Sequence, residues 1–282
     1  MPALRSLLFA PATRPEVFEK AAGTGADLVC VDLEDAVAPP LKDGAREAAV
    51  GWLTGDPRRS VRLNGLKTAH GLKDLLAVAE AAPAAGMVVL PKVDDAAEVA
   101  QADAILTAAG SGVALAALIE SVDGLENVQA IAGASARLTM LLFGAVDLSA
   151  ELGCANDAPA LAYARGRCVH AARRAGLALL DVPSLDFRNL DGVRAEAEYA
   201  KGLGFSGKAA IHPSNVAVIH EVFTPSTEEI DEAERVMAAF EASETGLVVL
   251  DGKLIEAPVI RTMKARLEAA EAARTSSGGV AA

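Results

Sequence analysis

The sequence predicts an α/β protein, a (β/α)8 TIM barrel followed by a C-terminal helical extension. Three observations predict it. Eight short apolar runs alternate with amphipathic segments over residues 1–224. The runs are unbroken and rich in β-formers, as parallel strands buried on both faces are. Polar or charged residues recur just past the runs, at the edge where barrels of this kind carry their sites. A doubly wound open sheet is the rival. No Gly-x-Gly-x-x-Gly follows the first run, which weakens its dinucleotide-binding version.

The strands are expected at Ser6–Ala10, Leu28–Leu33, Ser60–Leu63, Met87–Leu90, Val113–Ile119, Leu138–Phe143, Leu177–Val182 and Ala209–Ile211. Between them, helical spacing of apolar residues predicts helices at Pro15–Ala22, Lys42–Leu53, Leu72–Ala81, Ala96–Ala109, Asp157–Ala175 and Leu190–Lys201. Thr13-Arg14-Pro15-Glu16 places a proline in a first helical turn, and Gly23 and Gly176 stand just past helix ends. No repeat of solenoid type is present.

The pattern changes near Pro225. Residues 225–274 form an extension too small to hold a good core alone, so it is expected to pack on the barrel or on a neighbouring subunit. Within it, Thr227–Ala242 reads as an acidic amphipathic helix, Gly246–Leu250 as a short apolar run, Asp251-Gly252 as a turn and Pro258–Ala273 as a second helix. Thr275–Ala282 is small and polar, and reads as a frayed, disordered tail.

Composition narrows the function classes. Hydrophobic residues make up 52% of the chain and aromatics only 4%, so a large core is affordable and must be mostly Ala, Val and Leu. A net charge of −12 repels phosphate backbones, which argues against general nucleic-acid binding but leaves room for a phosphorylated ligand in a local basic pocket. No apolar run reaches membrane-spanning length, so no membrane partner is expected. Cys30, Cys154 and Cys168 are odd in number and match no zinc spacing, the plain pattern of a reduced cytoplasmic protein. The N-terminus lacks the pattern of a signal peptide.

The strand ends supply the chemistry. The first leads to Pro11 and Arg14, the second to Asp32, Glu34 and Asp35, the third to Arg62 and Asn64, and the fourth to Lys92. Glu120 ends the fifth, Asp147 follows the sixth, Asp181 ends the seventh and His212 follows the eighth. Strands five and six are neighbours in such a barrel, so Glu120 and Asp147 would face one hard divalent cation such as Mg2+. Arg62 suits either a bidentate grip on a substrate oxygen or a structural salt bridge to Asp32 or Glu34. Lys92 suits pairing with the acidic cluster better than substrate binding. Asp32, Glu34 and Asp35 suit either the support of arginines and metal waters or ordinary caps and surface pairs. His212 reads as a packed, hydrogen-bonded histidine rather than a general base. The stretch from Gly202 to Lys208 only superficially resembles a phosphate loop, since neither Ser nor Thr follows Lys208.

Taken together, these residues resemble a known family. Arg5-Ser-Leu-Leu-Phe-Ala-Pro11, Val31-Asp-Leu-Glu-Asp-Ala-Val37 with Lys42 and Arg46, and Val61-Arg-Leu-Asn64 match its ordered motifs. So do Leu90-Pro-Lys-Val93, Leu118-Ile-Glu-Ser121, Phe143-Gly-Ala-Val-Asp-Leu148, Gly207-Lys208 with Ile211-His-Pro213, and Asp251-Gly-Lys-Leu-Ile-Glu-Ala-Pro258. The sequence resembles the HpcH/HpaI aldolase and citrate lyase family, in particular its citrate lyase beta-subunit-like branch with malyl-CoA and citramalyl-CoA lyases.

The resemblance implies a homotrimeric Mg2+-dependent carbon–carbon lyase for a short carboxylated 3-hydroxyacyl-CoA. Such an enzyme cleaves malyl-CoA, citramalyl-CoA or a citryl thioester to an acyl-CoA and a 2-oxo acid of the glyoxylate, pyruvate or oxaloacetate type. It implies Mg2+ on Glu120 and Asp147, and Arg62 on substrate oxygens. It places acyl-CoA contacts at Phe9, Lys20, Ala209 and Ala210. The proton-handling group of the lyases is an aspartate that reaches a neighbouring subunit's site from the extension, and the matching residue here is Glu256. Two further departures are Val146, where relatives commonly carry an acid, and Ala12 in place of a glycine. The same site also admits a thioesterase, a non-catalytic acyl-CoA- or organic-acid-binding paralogue, or a beta subunit working with a carrier-protein partner.

Overall fold

The computed structural model describes residues 4–243, 248–250 and 252–278. Eight parallel strands close into a barrel in chain order: β1 (Ser6–Pro11), β2 (Leu28–Asp32), β3 (Arg59–Arg62), β4 (Met87–Leu90), β5 (Ala114–Ile119), β6 (Leu138–Phe143), β7 (Ala178–Asp181) and β8 (Gly207–Ala210). β8 pairs back onto β1, with Leu7 beside Ala209. The sequence-predicted barrel is therefore present, each strand within a few residues of its expected place.

Strand alternation explains both the core and the site. Leu7, Leu28, Cys30, Met87, Val89 and Leu180 belong to one buried cluster, joined by Ala116, Leu118, Met140 and Leu142. Within a strand these residues are two apart, so they share one face of the barrel wall. Their intervening neighbours, such as Val29, Val31, Val88, Leu115, Ala117 and Leu141, are buried as well. Burial on both faces is why the runs carry no alternation of polarity. Continuing the first face one step further along β2 and β5 reaches Asp32 and Glu120, and along β6 it reaches Gly144.

The helices between strands are α1 (Phe18–Ala22), α2 (Lys42–Leu53), α3 (Ala69–Ala81), α4 (Ala96–Ala108), α5 (Val122–Glu126), α6 (Val128–Ala132), α7 (Ala145–Leu152), α8 (Ala162–Ala175), α9 (Leu190–Leu203) and α10 (Ser214–Phe223). Local caps set several starts. Thr68 accepts from the Gly71 N–H and begins α3 three residues ahead of the predicted Leu72. Asp95 and Glu98 form a reciprocal capping box on α4. The helix expected from Asp157 begins instead at Ala162, after a turn in which the Asp157 carboxylate accepts from the Ala160 N–H.

β8 begins at Gly207, two residues before the expected Ala209. A lysine in a strand interior hides the strand. Lys208 is buried there because its ammonium meets Asp181 at 3.4 Å, Glu196 at 2.9 Å and the Val182 carbonyl at 2.6 Å. The Gly202–Lys208 stretch is thus helix end, turn and strand rather than a phosphate loop.

Contacts divide the chain into two units after Ile219, inside α10. The second unit contains α11 (Thr227–Glu241), a two-stranded antiparallel ribbon of β9 (Val248–Leu250) and β10 (Lys253–Ile255), and α12 (Ala257–Gly278). A Ser226–Glu229 capping box starts α11. Ala233, Val236, Ile255, Ile260 and Met263 form a small buried cluster of its own. The tail expected to fray from Thr275 is helical through Gly278, because α12 extends five residues past the predicted Ala273. Residues 279–282 lie outside the described residues, as do 246 and 247 of the expected apolar run. Among the described residues no helix is long and apolar enough to cross a membrane.

Candidate active site

A cavity of about 480 Å3 opens at the C-terminal ends of the strands. Phe9, Asp32, Arg62, Glu120, Asp147 and Asp181 line it, together with Ala209 and an apolar rim that includes Val146, Leu185 and Ile211. The structure thus brings Glu120, Asp147, Arg62, Phe9 and Ala209 together. Ala210 is buried in β8 and Lys20 is exposed on α1; neither lines the cavity. Glu256 is exposed immediately before α12, where its carbonyl accepts from the Val259 and Ile260 N–H groups. It belongs to the C-terminal unit.

Arg62 ends β3 and spans the two roles open to it. Its Nε donates to Asp32 Oδ1 at 2.7 Å and its Nη2 to Asp32 Oδ2 at 2.6 Å, a bidentate pair. Nη1 lies 3.2 Å from Glu34 Oε2. Below it, the Phe9 ring centre is 5.0 Å from the guanidinium carbon. Burial works against the Arg62 charge, but the hydrogen bond and charge of Asp32, then Glu34, outweigh it and hold the pKa above its ordinary value. Arg62 is a structural ion pair that also faces the cavity.

Glu120 sits just past β5 and is buried. One oxygen accepts from the Lys92 main-chain N–H at 2.8 Å. Lys92 adopts a left-handed backbone, φ +50°, which costs an L-residue about 1–2 kcal/mol and turns that amide onto Glu120. Its ammonium reaches Glu34 at 2.9 Å, Asp35 at 3.7 Å and Asp147 at 3.9 Å. Pairing with the acidic cluster is therefore what Lys92 does. Burial pushes the Glu120 carboxyl up to about 8; the charges of Glu34 and Asp147 add to the rise, and the Lys92 N–H and Arg62 oppose it. Burial likewise raises Glu34 above the usual carboxylate range despite Arg62 and Lys92.

These residues fit a divalent cation. Five carboxylates, Asp32, Glu34, Asp35, Glu120 and Asp147, gather around two cations, Arg62 and Lys92. Glu34 Oε2 is buried without a hydrogen-bond partner. Among the described residues no three acidic, His or Cys side chains converge on one point. Two carboxylates with the other positions left to water and substrate oxygens is the pattern Mg2+ favours.

A buried chain behind the site was less visible in the sequence. Lys42 donates to the carbonyls of Leu33 and Glu34, each at 2.9 Å, and to Asn64 Oδ1. Asn64 donates to Asp74 at 2.6 Å, and Arg46 does so at 2.5 Å. Lys42 therefore joins the loop after β2 to the loop after β3, which carry Glu34 and Arg62. Gly144 was also missed as a site residue. An added Cβ there would meet Glu120 Cβ at 2.3 Å. The available signal was its place just past β6, level with Glu120. Ala12 is buried, and its φ is not positive, so it fills the place of a glycine without strain.

His212 is exposed rather than packed in a core, but it is hydrogen-bonded. Its Nδ1 lies 2.7 Å from the Ser214 hydroxyl, and its ring stacks on Phe187. Cys30, Cys154 and Cys168 are free thiols, and burial pushes both Cys30 and Cys168 up to about 12.

Comparison with known proteins places this geometry among relatives. A family model described as HpcH/HpaI aldolase/citrate lyase matches residues 5–213. The (3S)-malyl-CoA thioesterase of Cereibacter sphaeroides (strain KD131) is 39% identical over 277 residues, covering 95% of each chain. The L-malyl-CoA/beta-methylmalyl-CoA lyase of Rhodobacter capsulatus is 36% identical over 303 residues, covering 96% of this chain and 95% of the lyase. Among solved structures, protein CitE from Mycobacterium tuberculosis in complex with magnesium, acetoacetate and coenzyme A superposes with a TM-score of 0.82 at 34% identity. That match covers 95% of this chain and 98% of the other.

Proposed function

The chain belongs to the HpcH/HpaI aldolase/citrate lyase family, and from that premise we propose that it is a Mg2+-dependent carbon–carbon lyase. Its substrate is a short carboxylated 3-hydroxyacyl-CoA of the malyl-, citramalyl- or citryl-thioester kind. The products are an acyl-CoA and a 2-oxo acid of the glyoxylate, pyruvate or oxaloacetate type. The observation that carries this reading is one cavity holding a buried carboxylate, Glu120, with Asp147 beside it and the fixed Arg62 guanidinium facing the same space.

Glu120 and Asp147 would hold the metal, which would supply Lewis-acid stabilisation of negative charge developing on the oxo-acid half. Arg62, anchored bidentately by Asp32, presents a second positive charge that needs no reorganisation during reaction. In the cleavage direction the 3-hydroxyl gives up its proton and becomes a carbonyl. The C2–C3 bond breaks, its electron pair passes to the thioester as an enolate, and a proton delivered to that carbon completes the acyl-CoA. Glu256, reaching over from a neighbouring subunit of a homotrimer, handles the proton at the thioester α-carbon. Phe9, Lys20 and the main chain at Ala209 and Ala210 contact the acyl-CoA. The free cysteines suit a cytoplasmic location.

Glu120→Ala abolishes Mg2+-dependent cleavage of malyl- or citramalyl-CoA on this reading, while the protein stays folded. Unchanged turnover in a folded Glu120→Ala preparation would sink it.

A thioesterase using the same cavity is the second reading. The specific observation behind it is that the (3S)-malyl-CoA thioesterase matches over 277 residues at 39% identity, a closer fit in length than the 303-position alignment with the lyase. Product analysis separates the two. Water attack on the thioester releases free CoA and the intact hydroxy acid, whereas lyase chemistry releases an acyl-CoA and an oxo acid.

A further inference from the structure

The wall of the site that follows β7 borders two spaces. Asp181, Val182, Pro183 and Leu185 line the active-site cavity, and the same four residues line a second cavity of about 390 Å3. Arg165 of α8 and Glu196 and Tyr199 of α9 line that second cavity as well. A side chain that faces a void has no contact atoms there, so packing alone fixes such a segment poorly. Its position then depends on its polar ties.

Those ties converge on Lys208, which is fully buried. Its ammonium donates to the Val182 carbonyl at 2.6 Å and meets Asp181 Oδ2 at 3.4 Å. It also meets Glu196 Oε2 at 2.9 Å, and the Ser184 hydroxyl donates to that same oxygen at 2.6 Å. Asp181, Val182 and Ser184 are thus fastened to one lysine, directly or through Glu196, by charge-assisted bonds. Burial works against the Glu196 charge, but Lys208, then Ser184, outweigh it and hold the carboxyl below its usual range.

β7 pairs with β6, so this wall stands beside the strand end that carries Asp147. A substrate with its oxo-acid half at Asp147 meets the apolar side chains of Val182, Pro183 and Leu185 there. Where the wall stands decides whether an extra methyl on that half is accepted.

We propose that Lys208 and Glu196 are positioning residues for substrate selection. They hold the wall after β7 in place, and so set how well the site separates substrates that differ by one methyl group on the oxo-acid half. This rests on the lyase reading above and deepens it. Without the ties the wall can recede into the second cavity, and the larger substrate gains.

The test compares malyl-CoA with citramalyl-CoA, which carries one more methyl on that half, in the full-length protein and its Glu196→Ala, Ser184→Ala and Glu196→Gln variants. Glu196 is half-exposed on α9, where alanine is a good helix former. One methylene in an apolar pocket is worth about 10–200-fold in discrimination, so Glu196→Ala and Ser184→Ala shift the kcat/KM ratio at least about fivefold toward citramalyl-CoA. On malyl-CoA, kcat stays within about twofold, because Glu120, Asp147 and Arg62 are untouched. Glu196→Gln, whose amide oxygen still accepts from Ser184, keeps the wild-type ratio. Calorimetry in the presence of Mg2+ reads the same wall without turnover, as the affinity for 2-oxobutyrate relative to pyruvate. That ratio rises at least about fivefold in Glu196→Ala. A lower Tm with both ratios unchanged in Glu196→Ala and Ser184→Ala reveals a merely structural role and overturns the proposal. A protein that cleaves neither thioester yet shows the 2-oxobutyrate shift keeps the wall and overturns the lyase reading instead.

Discussion

Gly144→Ala probes whether the carboxylate of Glu120 must stay where the fold puts it. Ile119 and Phe143 are paired across β5 and β6, so Glu120 and Gly144 are the next residues along each chain. A Cβ at position 144 would lie 2.3 Å from Glu120 Cβ and 2.9 Å from its Oε2. Non-bonded carbons settle at about 3.5–4.0 Å, so one side must yield by about 1 Å or more. The Gly144 φ of −102° is negative, so no left-handed backbone bars alanine there. Its N–H is bonded to the Ile119 carbonyl at 2.9 Å, which resists separation of the two strand ends. Glu120 is therefore the part that moves. Overpacking of this kind costs about 1–3 kcal/mol, and a displacement of about 1 Å at a reacting site lowers rate about a hundredfold. Thermal melting, calorimetric Mg2+ titration and steady-state cleavage of malyl-CoA measure the three consequences. The expected protein is folded with a Tm a few degrees lower, binds Mg2+ at least about tenfold more weakly, and has kcat/KM reduced about a hundredfold. Wild-type Mg2+ affinity and wild-type kcat/KM in Gly144→Ala would refute the reasoning.

Three further outcomes follow from the same geometry. The folded pKa of Glu120, pushed by burial from 4.5 up to about 8, stands above its unfolded value, so its contribution to stability is present at low pH and is lost as pH rises toward 8. Metal-free protein should therefore lose more stability than Glu120→Gln between about pH 5 and about pH 8, and parallel melting profiles would contradict the assignment. Lys42→Met leaves the Leu33 and Glu34 carbonyls and Asn64 Oδ1 without their shared donor, at a cost of about 3 kcal/mol by chemical denaturation; a loss under about 1 kcal/mol would show that water replaces the ammonium. Glu256→Ala lowers kcat about a hundredfold, and co-expression with Glu120→Ala chains regains part of the activity, because some sites then pair an intact metal centre with an intact Glu256; no regain would remove the sharing of residues between subunits.

The strands were legible because a parallel barrel buries both faces, so Met87–Leu90 and Leu138–Phe143 appear as apolar runs with the observed bounds. The same rule hid the start of β8, where Lys208 occupies a buried position that no apolar-run argument admits. Its tolerance depends on Asp181 and Glu196, which come beside it only when β7, α9 and β8 pack together. The helices α5 and α6 escaped for a different reason. Each has five residues, too few for a 3.6-residue period to register. The end of α12 escaped because small polar residues at 275–278 look like a frayed tail when their continuation of a long helix is unseen.

The site divides along the same line. That Glu120 and Asp147 stand on adjacent strand ends follows from chain order alone once the barrel is granted. What each carboxylate experiences does not, because it depends on distances between loops. The acids after β2 illustrate the difference. In the sequence Asp32, Glu34 and Asp35 are equivalent members of one cluster. In the fold Asp32 binds Arg62 in two places and fixes its direction, while Glu34 faces both Arg62 and the Lys92 ammonium. Asp35 stays largely exposed. Glu34 is the member whose charge most raises Glu120, and Lys92 turns its main-chain N–H toward Glu120 in opposition. Beyond its burial, the state of the Glu120 carboxylate is thus tuned by two loops belonging to β2 and β4. Lys42 joins this coupling from behind the site: by holding the Glu34 carbonyl it fixes the loop whose charge acts on Glu120.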